Sequence, residues 1–129
     1  MTEVLRLPDT EAAVVTFLNA ALTPPVSTRT PNPRPAAYVR VGCAGGRSTN
    51  PATADPQVLV ESYAGSSVTA STNALDAWHA LSAARGSFIA PGVWLVTADC
   101  GVPVNFPDPD TTDARYQFVA SLALSKTEA

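Results

Sequence analysis

The order of apolar patterns along the chain predicts an α+β fold, with elements in the order α-β-β-α-β-β, a mostly antiparallel sheet and both helices packed on one of its faces. Three observations lead there. "PDTEAAVVTFLNAALTPP" carries its hydrophobic residues at helical spacing, "AAYVRVGC" and "PQVLVESYAG" alternate like half-buried strands, and an alanine-rich helix separates them from two further alternating runs. With 129 residues, 46% of them hydrophobic, the chain holds enough apolar material for one core, so a single domain over 1–129 is expected.

The first helix has clear end signals. Asp9 or Thr10 can cap it, Glu11 suits the positive end of the dipole, and Pro24 with Pro25 forbids continuation. Val14, Phe17, Leu18, Ala21 and Leu22 form its buried stripe. "VSTRTPNPRP", 26–35, is expected to be an extended loop, because three of its last five residues are proline and donate no ladder hydrogen bond. In the next strand Ala37, Val39, Val41 and Cys43 alternate with Tyr38, Arg40 and Gly42. "AGGRSTNPATAD" is expected to break regular structure as the long tip of a hairpin. Val58 and Val60 then share one strand face, with Leu59, Glu61 and Tyr63 on the other.

A second helix is expected from Ser66 to Arg85, capped by Ser66 or Ser67 and stopped by Gly86, with Leu75, Trp78 and Leu81 alongside Ala74 and Ala77 on the packed face. "GVWLVTADCGVPVNF" and "ARYQFVASLAL" are the last two strands. In the second of these Tyr116, Phe118, Ala120, Leu122 and Leu124 share a face, with Gln117 and Ser121 opposite. The sheet should leave an edge strand over, which is a liability in a free monomer and a docking site in an oligomer.

Eight basic and eleven acidic residues give a net charge of -3, without a basic block to follow a phosphate backbone or an anionic membrane. Charged residues make up only 15% of the chain, against roughly 25% in an average domain. A weakly charged surface suits a protein packed against others. The codon usage of a GC-rich genome, which the excess of Arg over Lys also fits, accounts for it equally. Cys43 and Cys100 are far apart, both in expected strands, and neither stands in a CxxC pattern or at ligand spacing from a His. The N-terminus lacks a positive start followed by an apolar run, and no stretch approaches membrane-spanning length. Synthesis in a cytoplasm is the corresponding expectation.

Motifs for chemistry are sparse. His79, the single histidine, stands beside Trp78 in the second helix, where an imidazole is ordinarily a polar rim group. Asp108, Asp110 and Asp113 in "FPDPDTTDARYQFVASLAL" resemble the start of a calcium loop, but Asp113 falls where the loop glycine belongs and Val119 where the bidentate Glu belongs. Pro107 and Pro109 stiffen this segment, and Asp108 and Asp110 can close Asx-turns, so it reads as a rigid turn that aims the last strand. "GCAGGRSTN" lacks the GKS or GKT ending of a phosphate loop and opens no helix. Catalytic residues, metal ligands and cofactors are therefore expected to be absent.

The stretches "TPNPRPAAYVRVGCAGG", "DPQVLVESYA" and "FPDPDTTDARYQFVASLAL", in that order and with the alanine-rich helix between the second and third, resemble the tail terminator proteins of siphophages from GC-rich actinobacterial hosts. The resemblance covers roughly residues 5–125. It implies a subunit similar in fold to tail-tube proteins, a homo-oligomer that forms a hexameric ring on the last ring of the major tail tube protein, stops tube growth and offers the surface to which neck and head completion proteins join. DNA would pass through the lumen without being read, and the site would be the virion, at the head-proximal end of the tail. The family brings no catalytic residues. By position, Asn32 and Arg34 match its NPRP loop, Gly45 and Gly46 its hairpin tip, and Asp108, Pro109, Asp110, Arg115 and Tyr116 its final loop and strand. The hairpin of relatives carries more arginine than Gly42, Cys43 and Ala44 supply here.

A ring of like subunits needs one patch to meet a different patch on the next copy. Arg34, Arg40 or Arg47 of one subunit facing Asp108 or Asp110 of its neighbour or of the tube would supply register. Two other readings fit the same features: a head completion or head-to-tail connector protein, and a small α+β enzyme or ligand-binding domain, which would need a concave pocket with convergent polar groups.

Overall fold

A computed structural model of the chain describes residues 5–48 and 50–128. The expectations about the first residues of the chain and about Thr49 in the glycine segment lie outside these described residues. The fold is α+β, two helices against one face of a curled, mostly antiparallel sheet.

The first helix, α1 (Thr10–Ala21), starts where Asp9 accepts a hydrogen bond from the backbone N–H of Ala12 at 3.1 Å. It ends at Leu22, whose N–H reaches the Leu18 carbonyl before the proline pair. Val14 and Leu18 are buried as expected and Ala13 joins them, whereas Ala21 is exposed. Phe17 and Leu22 pack half-buried against the same core, so of the expected stripe only Ala21 faces solvent. The second helix, α2 (Ser67–Ala83), is capped by Ser66 and stops two residues short of the expected Arg85. It lies on the sheet through Ala70, Ala74, Ala77 and Leu81, leaving Leu75 exposed and Trp78 half-buried. Small residues on that line let the helix backbone approach closely. Ser62, on the sheet beneath, donates to the Ala70 carbonyl at 2.9 Å.

Strands β3 (Ala37–Arg47) and β4 (Thr53–Ala64) form the expected hairpin, but β3 runs on to Arg47 and β4 starts already at Thr53. Gly45 and Gly46 are therefore in the ladder, opposite Gln57 and Pro56, and are not its tip. They follow a bulge at Cys43 and adopt φ of 112° and 121°. A Cβ on Gly46 would overlap the carbonyl of Asp55, so only glycine lets the two backbones approach there.

Two short pairings escaped the sequence reading. The first is β2 (Val26–Ser27), which adds in parallel to Val39 and Arg40 where only extended loop was expected; Asn19 holds both backbone groups of Val26. The second is β5 (Ser87–Ala90), which turns through Pro91 and Gly92 into β6 (Val93–Cys100), with Gly92 at φ 75° as a turn glycine after proline requires. The strand expected over "GVWLVTADCGVPVNF" is interrupted: β6 ends at Cys100, and after Gly101–Pro103 a separate short strand, β7 (Val104–Asn105), resumes the expected antiparallel pairing with β8 (Ala114–Ser125). In addition, β1 (Leu5–Arg6) and β9 (Thr127–Glu128) make a separate two-stranded ribbon.

The last long strand does not simply pair with the one before it. β8 inserts between β4 and β6, giving the order β2-β3-β4-β8-β6-β5. Its alternation is the one expected: Phe118, Ala120, Leu122 and Leu124 are buried under the helices with Val39, Val41, Val58, Val60 and Leu95, and Tyr116 is half-buried. Each fully buried Leu or Val contributes about 1.5–3 kcal/mol relative to exposure.

Candidate assembly surface

The opposite, helix-free face of the sheet carries the polar residues. The register sets Arg40 across from Glu61, and Tyr63 between Tyr38 and Arg115. Because these are cross-strand partners on one face, their side chains converge. Glu61, only 7% exposed, is the hub. Arg40 approaches it as a fork, Nε to Oε1 at 3.0 Å and Nη2 to Oε2 at 3.3 Å, and Arg115 Nη1 reaches Oε2 at 3.0 Å. The Tyr63 hydroxyl accepts from Arg40 at 2.9 Å and from Arg115 at 3.2 Å, and its single proton has Asp108 Oδ2 at 3.1 Å as its nearer acceptor and Glu61 Oε2 at 3.4 Å as the other. Tyr38 stacks on the Tyr63 ring, centroids 4.8 Å apart and planes within 7°.

Two loops are tied to this cluster. Thr30 accepts from Arg40 Nη1 at 3.1 Å. Asp108 lies 3.7 Å from Arg115, whose Nε donates to the Phe106 carbonyl at 2.7 Å and whose guanidinium covers the Phe106 ring. The turn itself forms as expected at Asp108, which accepts from the N–H of Asp110 at 2.9 Å. Among the described residues every buried side-chain polar atom has a partner.

Two arginines against Glu61 and Asp108 leave the cluster with no net charge. Its electrostatics stiffen rather than prime it. The amide of Asp110, then Tyr63 and the two arginines, hold the Asp108 carboxyl below the usual carboxylate range. Burial pushes the Tyr63 phenol up against the opposing pull of Arg115 and Arg40. The bond to Glu61 raises Arg40, outweighing burial, and on Arg115 the effect of burial is overcome by Tyr63, Glu61 and Asp108. Asp108, Tyr63 and both guanidiniums thus keep one charge state through the neutral range, and the arrangement holds two loops on the sheet.

The residues singled out in the sequence divide into those inside this cluster and those outside it. Arg40, Asp108 and Arg115 belong to it, with partners in their own chain. Arg34 lies at its margin, donating to Thr111 Oγ1 at 2.7 Å and standing 3.7 Å from Asp113, so the NPRP loop and the acidic loop are joined. Asn32 and Asp110 are exposed on these loops. Arg47 is exposed at the far end of β3, in register with Asp55. Glu61, Tyr63, Tyr38 and Thr30 were missed. The signal was present, since Glu61 and Tyr63 share the non-core face of β4, but it acquires meaning only through the register with β3 and β8.

Elsewhere on the molecule large apolar side chains are exposed. Phe88 is 64% exposed and meets Trp94 edge to face at 4.9 Å. Val102, 73% exposed, is followed by exposed Val104 and Phe106, and Val119 is exposed on β8. An open groove of about 600 Å³ lies between α1 and the β5–β6 turn, lined by Thr16, Phe17, Ala20, Phe88, Ile89 and Pro91 among others. Among the described residues no three His, Cys, Asp or Glu side chains are grouped to hold a metal ion, and no helix is long and apolar enough to cross a membrane. Both cysteines are free, Cys43 exposed and Cys100 half-buried, where burial raises its thiol.

Neither a protein-family model nor a curated protein matches this chain. Among solved structures the chain is similar to one described as "Virion of native gene transfer agent (GTA) particle", at 16% identity and a TM-score of 0.42, over 95% of this chain and 89% of that one. A likeness of that strength carries no argument about role.

Proposed function

We propose that this chain is a structural virion protein that forms a ring, hexameric by resemblance, on the head-proximal end of a phage tail tube. There it ends tube growth and presents the surface to which neck and head completion proteins attach. The observation that carries the reading is the surface: large uncharged side chains, Phe88, Val102, Val104 and Phe106, stay more than half exposed on a chain that is poor in charge. Scattered singly, as Leu7 and Val68 are, such residues need no explanation, but these four gather at the β5–β6 hairpin and the 101–106 segment, as on a subunit covered by its neighbours. The sequence motifs supply the family. The exposed charges Arg34, Arg47 and Asp110 are the ones to set register against a neighbouring subunit or the tube. DNA passes through the lumen without readout, in keeping with the negative net charge.

Antibody-gold labelling of intact particles and of isolated tails tests this. Label at the head-proximal end, kept on tails that never met a head, is the expected result. Label on heads alone turns the reading to a connector, and particles without label remove the virion role.

A further inference from the structure

Two apolar surfaces stand at opposite ends of β6. At its start is the groove between α1 and the Pro91–Gly92 turn, floored by Phe17, Ala20 and Ile89 and rimmed by Phe88. At its end is the segment 101–106, "GVPVNF", from which Val102, Val104 and Phe106 project. The groove lining has no charged residue, and the only charge against the segment is the Arg115 guanidinium under the Phe106 ring, already paired with Glu61. Eight strand residues separate them, a span of roughly 25 Å, so the segment of one chain cannot reach its own groove.

From this complementarity we infer that the 101–106 segment of one copy seats in the α1/β5–β6 groove of the next, Val102 and Val104 entering and Phe106 covering the rim beside Phe88 and Trp94. The inference names the partner of the surface invoked above, a second copy, and rests on that reading. Three considerations favour this occupant over a foreign chain. The groove is uncharged and the one cation beside the segment, Arg115, is already paired with Glu61, so bringing the surfaces together buries no unpaired ion. Phe88 and Trp94 at the groove and Phe106 on the segment together leave on the order of 300 Å² in water, and one contact between the two surfaces covers all three. The surfaces are different, and a different-patch contact propagates head to tail, closing into a ring where the rotation allows and leaving no subunit uncovered. An isologous dimer would leave copies of one surface exposed.

The test uses the purified full chain and two single variants, Val102→Arg and Ala20→Arg, both at exposed positions, followed by native mass spectrometry and sedimentation. The wild type should give a closed oligomer of one size. Each variant alone should be monomeric, its dissociation constant raised at least about thirty-fold, as expected at a binding hot spot. A one-to-one mixture of the variants should give heterodimers and nothing larger, because only the wild-type groove of one and the wild-type segment of the other remain. Where circular dichroism shows that a variant has lost its fold, Val104→Arg and Thr16→Arg take its place. Variants that oligomerise like the wild type overturn this contact and leave the ring reading standing. A wild type that stays monomeric at every concentration, while Ala20→Arg loses retention on tails, assigns the groove to another tail protein and overturns the second copy. Gold labelling decides the ring reading independently of either result.

Discussion

The two faces of one sheet are built from the same strands by opposite means. Toward the helices, Val39, Val58, Phe118 and Leu122 meet α1 and α2 in a dry apolar layer. Away from them, residues of the opposite alternation on the same strands, Arg40, Glu61, Tyr63 and Arg115, form with Asp108 a charge-balanced cluster covered only by loops. The difference is one of tolerance. An apolar layer degrades gradually when a methyl group is lost, whereas a buried ion cluster depends on each member, since removing one leaves its partner desolvated and unpaired.

The largest effect should come from the apolar face. Leu81→Ala, at a side chain with no exposed area, should lower stability by about 2–5 kcal/mol in urea unfolding; a loss under 1 kcal/mol would mean that α2 does not seat on the sheet as described. On the other face Glu61→Gln keeps the shape and removes the charge shared by two arginines. It should cost about 3 kcal/mol, the lower end for a buried ion pair because Arg40 is partly open to water. An unchanged midpoint would show that the cluster contributes nothing to stability. Tyr63→Phe removes the proton directed at Asp108 and an acceptor for both arginines while the stack on Tyr38 remains. A loss of about 1 kcal/mol is expected, together with faster amide exchange in 106–113; unaltered exchange would separate that loop from the cluster.

The smallest effect is titration. Asp108 sits below the ordinary carboxylate value, so it is charged in the folded protein at acidities where the unfolded chain already binds a proton. Its contribution is complete well above pH ~4 and is lost as pH falls through its lowered folded value. Tyr63 runs the other way. With its folded value raised above the ordinary phenol value, its contribution holds below pH ~10 and fades as pH rises through the folded value. Comparing stability profiles of the wild type with Asp108→Asn and Tyr63→Phe checks both signs. A variant profile parallel to the wild type at the corresponding extreme would remove that residue from the pH dependence.

Local rules were enough for much of the fold. The caps at Asp9 and Ser66, the proline stop after α1 and the alternation of β3, β4 and β8 were legible because each depends on neighbours within a few residues. The same rules placed the turn at Asp108. They failed at Gly45 and Gly46, where composition suggested a tip and the bulge made a continuing strand, because the need for glycine arises from Asp55 across the ladder. They also failed at β2 and β5, which are too short to show a period and exist by pairing with β3 and β6.

By itself the sequence determined the class of the fold, its two helices and which face of each long strand is apolar, since periodicity is a property of consecutive residues. Only the tertiary structure decided that β8 lies between β4 and β6. That register brings Arg115, Glu61 and Arg40, separated along the chain by tens of residues, to within a hydrogen bond of one another, and it sets the groove and the 101–106 segment at opposite ends of one strand. Such proximities depend on which strands become neighbours, a choice made by the packing of the whole chain and not by any stretch of it.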